Sequence, residues 1–99
     1  MPLLDIALQD GFENDLVAIR INGKEVYSKP QVSTRRPIGF ADSYETDVDG
    51  GAIKVTLELP QRPLSASRVL QVTGPTYVGI SVTAEGLQFD LSEEPFGYS

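Results

Sequence analysis

Tight-turn signals set between runs of period-two sequence constrain this chain more than any other feature. Asn22-Gly23, Asp49-Gly50-Gly51 and Glu85-Gly86 each separate stretches in which apolar and polar residues alternate. Two-residue hairpin loops need positive φ, which Gly adopts without steric cost and Asn tolerates. A one-residue slip turns a whole strand over, so each loop dictates which flanking residues share a face. With Asn22-Gly23 as the loop, Ile21 faces Lys24, Arg20 faces Glu25 and Ile19 faces Val26. With Glu85-Gly86, Ala84 faces Leu87, Val82 faces Phe89 and Ile80 faces Leu91. A loop at Asp49-Gly50 or Gly50-Gly51 puts Tyr44, Thr46 and Val48 on the face of Ile53, Val55 and Leu57, with Asp47 or Glu45 meeting Lys54 outside.

The pattern predicts eight strands, near 3–9, 16–22, 24–29, 40–48, 52–59, 66–73, 76–84 and 87–92. Pro30, Pro37, Pro60, Pro63, Pro75 and Pro95 then fall between or after strands, where a missing N–H costs no ladder bond. No stretch of ten residues carries a 3.6-residue apolar stripe, so no substantial helix is expected. Short strands at this spacing mean an all-β, single-domain antiparallel sandwich, immunoglobulin-like or transthyretin-like in pattern, with a small barrel as the alternative. The domain covers 1–92, and 93–99 form a C-terminal tail whose Phe96 and Tyr98 keep period two and suit covering a sheet edge. The Cys, Trp, Cys signature of true immunoglobulin domains is absent.

With 99 residues there is room for one core. The absence of cysteine excludes a disulfide framework and thiolate metal sites. A net charge of −6 with eight basic residues argues against nucleic acid as a partner. No apolar run approaches the ~20 residues of a membrane span, and the first residues lack the basic start of a signal peptide. A cytoplasmic location is the expectation.

If each strand crosses the domain once and the next returns, successive connections alternate between two ends. Loops 10–15, 30–39 and 60–65 and the Glu85-Gly86 turn collect at one end, which gathers Arg35, Arg36 and Arg62. The other end receives Asn22-Gly23, Asp49 to Gly51, Gly74-Pro75 and both termini, so the domain is expected to be electrically lopsided. Proline directly after Arg36 and after Arg62 stiffens both loops and holds the guanidinium groups outward, a geometry suited to carboxylate or phosphate. The competing reading pairs these arginines with Asp10, Glu13 and Asp15 in the neighbouring loop.

Without histidine, the commonest general base and metal ligand is missing, and Ser-His-Asp and Cys-His chemistry is impossible. A Ser-Lys pair would have to use Lys24, Lys29 or Lys54, all outward-facing by strand parity. Glu45, Asp47 and Asp49 before Gly50 echo a calcium loop, but its twelfth position, where a bidentate Glu belongs, is Thr56. Their alternation reads instead as a solvated outer face. The expectation is a small non-catalytic binding or protein-interaction module without cofactor or metal, using loops 30–39 and 60–65. Its partner would be a protein or small anion at the arginine end, through Arg35, Arg36 and Arg62. The alternatives are a structural subunit assembling through an edge strand, and an enzyme working with paired carboxylates.

Overall fold

The computed structural model describes residues 1–97; Tyr98, one of the two tail aromatics, lies outside them. Eight strands run in order: β1 (Leu3–Leu8), β2 (Asp15–Ile21), β3 (Lys24–Val32), β4 (Asp42–Asp47), β5 (Gly51–Leu59), β6 (Leu64–Val72), β7 (Thr76–Thr83) and β8 (Gly86–Ser92). They form two four-stranded sheets, β4-β1-β7-β8 and β3-β2-β5-β6. The sheets stay separate and keep their edges, so the architecture is a β-sandwich and not a closed barrel. Among the described residues there is no helix.

The inward faces behave as the alternation requires. Leu4, Ile6, Ile19, Val55, Leu57 and Ile80 are fully buried and Phe89 nearly so, with Ile21 and Val82 packed against them. Strict alternation of chain direction also holds, with one consequence beyond an all-antiparallel sandwich. The first and seventh strands run the same way, and β1 pairs with β7 in parallel.

The Asn22-Gly23 turn forms as expected, with a change further along its hairpin, and the other two turns need correction. Asn22 and Gly23 both have positive φ, 52° and 84°, as a type I′ loop requires. Ile21 faces Lys24 and Arg20 faces Glu25, but Ile19 then faces Tyr27 rather than Val26. Val26 is an extra residue, a bulge, and it turns the rest of β3 over. The second loop is Ala84-Glu85, because Thr83 pairs with Gly86 and Ile80 with Phe89. Gly86 keeps its positive φ of 118° at the first position of β8. The register moves by two, so Val82, Ile80, Leu87 and Phe89 still share a face.

The third hairpin does not form. β4 pairs with β1, whereas β5 pairs with β2 and β6, so Asp49-Gly50-Gly51 carries the chain from one sheet to the other. Tyr44 and Val48 do point the same way as Ile53, Val55 and Leu57, toward the core, but they meet across it. Alternation alone cannot tell a hairpin from an arch between sheets. Lys54 therefore pairs with neither Asp47 nor Glu45, and Arg20 finds Glu58 on β5 at 2.8 Å.

β3 also runs longer than expected, through Val32, with Pro30 inside it. That is compatible with its place at a sheet edge. A second bulge, between the Val17–Lys29 and Asp15–Val32 pairs, holds Gln31 at φ 59° and brings Val32 back into the core.

Candidate functional site

The arginine end is assembled as the strand alternation implies, and its chemistry is mainly structural. Asp15, at the start of β2, is the one buried polar or charged residue among the described residues. Its carboxylate accepts bonds from Arg62 Nε at 2.9 Å and Nη2 at 2.8 Å, and from the Glu13 backbone N–H at 2.8 Å. Arg62 Nη2 also donates to the Gly11 carbonyl at 2.9 Å. This fork ties the β1–β2 loop to the β5–β6 turn. Gly11 has φ +87°, and a Cβ there would run into the Val82 carbonyl, so no other residue fits without movement.

Loop 33–41 is held to the same end. Thr34 Oγ1 accepts from the Phe12 N–H at 3.0 Å and donates to the Gln9 carbonyl at 2.6 Å, while the Thr34 N–H donates to Phe12. Phe12 is thereby fixed as a plug in the core, 2% exposed. The Arg35 carbonyl accepts from Ile38 and Gly39. Arg36 reaches Glu13 at 3.6 Å with side chains 88% and 71% exposed, a contact that contributes little. Arg35 is exposed and has no ion pair among the described residues. Thus Arg62 is committed to Asp15, whereas Arg35 and Arg36 stay on the surface. Asp10, Glu13 and Asp15 share this end, so it is no bare positive patch.

Other polar groupings lie elsewhere. Asp5 on β1 is directly opposite Glu45 on β4. Burial, then the hydrogen bond and charge of Glu45, push the Asp5 carboxyl up to about 6. Among the described residues no group of three or more acidic side chains is placed to hold a metal ion, Glu45, Asp47 and Asp49 included.

The two open flanks of the sandwich differ sharply. On the β3/β4 flank, the bulge at Val26 puts Tyr27 and Lys29 on the core-facing side of β3, at the rim, where Lys29 stays exposed. Tyr27 donates to Asp42 at 2.7 Å and Lys29 Nζ lies 3.1 Å from the same oxygen. Tyr27 and Tyr44 meet edge-to-face with centroids 6.2 Å apart. Burial alone would raise the Asp42 carboxyl; the bonds from Tyr27, Lys29 and the Ser43 N–H outweigh it and hold it below the usual range. Burial and Asp42 push the Tyr27 phenol up.

The β6/β8 flank has no such clasp. Arg68 lies over Phe89, 5.6 Å from the ring centroid. Val69 is 62% exposed and Leu91 54%, two of the three large apolar side chains left exposed among the described residues. Beside them a cleft of about 620 Å³ opens, lined by Leu70, Gly74, Pro75, Thr76, Leu91 and Glu93 among others. It lies at the end opposite the arginines. Sequence reasoning missed this flank and the clasp alike, because both depend on which strands become edges and on a bulge that alternation does not reveal.

No family model, curated protein or solved structure matches the chain.

Two predictions follow from these sites. Arg62→Ala strands a buried carboxylate and should cost about 3 kcal/mol in urea unfolding. Arg36→Ala should cost less than about 1 kcal/mol, and equal small losses would contradict the structural role of Arg62. For Asp5, a folded-state pKa above the unfolded value means that the folded protein binds more protons between about pH 4 and 6, so stability falls as pH rises through that window. Glu45→Gln should therefore stabilise at pH 7 by about 0.2–1 kcal/mol, with the gain shrinking at pH 4. A gain equal at both pH values would contradict the pairing.

Proposed function

We propose that the chain is a non-catalytic interaction module that receives an extended segment of a partner protein along β6. The observation that carries this reading is the contrast between the edges. β3 is guarded by Pro30, two bulges and Lys24 and Lys29. β4 is short and carries Asp42, Glu45 and Asp47. β8 carries Asp90. β6 has nine residues in unbroken register with β5, no proline, and a single charge, Arg68, on the inward face over Phe89. A strand edge in that state supports main-chain pairing with another extended chain, and the cleft beside it supports side-chain selection.

A second reading rests on Arg35 and Arg36, whose exposed guanidinium groups suit an acidic partner at loop 33–41. Immunoglobulin constant domains keep their first and second strands in one sheet; here these strands lie in opposite sheets, so no function is borrowed from that likeness. The same proposal sets the module in the cytoplasm, where a cysteine-free fold suits a reducing environment. No helix among the described residues is long and apolar enough to cross a membrane.

Ser67→Glu with Val69→Glu places two charges on the outer face of β6, the second opposite Lys54, and surface changes of this kind alter stability by only about 0.5 kcal/mol each. Capture of partner from the native cell should be lost in that variant and kept in Arg35→Ala with Arg36→Ala. The opposite pattern would favour the loop reading. Solution mass adds a check: a monomer agrees with a module that receives a partner, and a closed oligomer with a structural subunit.

A further inference from the structure

Resting on the strand-addition reading, we infer that the β6 flank selects a segment with an apolar residue followed two positions later by an acidic one, read by the Leu70–Leu91 cleft and by Arg68. Both features sit on the inward side of β6. Register with β5 places Leu70 opposite Ile53 and Arg68 opposite Val55, both core-facing residues. A strand added to β6 continues the sheet, and its side chains directly opposite Arg68 and Leu70 project to the same face.

Antiparallel addition is the more stable of the two pairings per residue. In that direction the partner residue opposite Leu70 precedes the one opposite Arg68 by two. The first hangs over the cleft between Leu70 and Leu91, whose volume of about 620 Å³ easily admits a Leu or Phe side chain. The second meets the Arg68 guanidinium. Arg68 makes no ion pair among the described residues, and its guanidinium lies over the Phe89 ring. A cation held over an aromatic face with its donors unused is complementary to a carboxylate. Glu93, just beyond the end of β8, lines the cleft without forming an ion pair with Arg68, and is placed to repel an acid at the cleft position. The order apolar then acidic follows from that polarity.

The probe is an eight-residue peptide of alternating Thr and Val with one Val replaced by Leu and the next residue of that face, toward the C terminus, replaced by Asp. Controls carry Lys in place of Asp, Ser in place of Leu, or N-methyl groups on alternate amides. The intact protein should bind the Asp peptide about fivefold more tightly than the Lys peptide, the size of a cross-strand charge preference. Arg68→Glu should invert that order, and Arg68→Gln should abolish it. The Ser peptide should bind more weakly than the Leu one. Equal affinity for Asp and Lys peptides in all three proteins overturns the role of Arg68 while leaving strand addition in place. Binding unaffected by N-methylation, or absent for every peptide, overturns strand addition and the proposed function with it. A peptide-independent dimer formed through β6 would likewise overturn both.

Discussion

A two-layer sandwich leaves two flanks where the sheets end, and each flank exposes the outer main-chain groups of two edge strands. How those flanks are closed is the constraint on which the rest of this domain depends. Apolar alternation fills the space between the sheets but cannot protect the edges, because an edge is a row of backbone donors and acceptors. Here one flank is closed by side chains. The bulge at Val26 puts Tyr27 and Lys29 on the core-facing side of β3, and both bond Asp42 across the gap between sheets. Among the described residues the other flank, between β6 and β8, has no such bond; the Arg68–Phe89 stack and a cleft lie there. In the proposed strand-addition reading, that inequality sets the direction in which the domain would bind.

The ends of the sandwich are closed by different means. At the arginine end, Asp15, Arg62, Gly11 and Thr34 knit three connections over the buried ring of Phe12. A buried carboxylate gripped by a guanidinium fork is costly to break, whatever its net worth against an apolar substitute. Arg62 is held by Asp15 and the Gly11 carbonyl, whereas Arg35 and Arg36 stay on the surface of this end. Surface charges of that kind steer encounters and contribute little to stability.

Much of the fold was legible because inward parity is robust. Ile19, Val55, Leu57 and Ile80 are core residues whichever register the turns adopt, since registers differing by two residues conserve the face. The pairing of strands was less legible. Residues 44–48 and 53–57 point toward one core whether joined as a hairpin or as an arch, so Asp49-Gly50-Gly51 could not announce a change of sheet. The bulges were hidden for a related reason: Val26 and Tyr27 are both compatible with burial, and only their partners decide which one opposes Ile19. The end-on clustering of Arg35, Arg36 and Arg62 followed from alternation alone. The fork on Asp15 could be named only as a competing possibility, and the β6/β8 flank could not be anticipated without the strand order.

Residue-resolved amide hydrogen exchange, before and after saturation with the Leu-and-Asp peptide, tests the central claim most directly. Strand addition predicts slowed exchange at alternate amides of 64–72, with 24–32, 42–47 and loop 33–41 unchanged. Protection that appears at loop 33–41 and leaves 64–72 untouched would contradict the account.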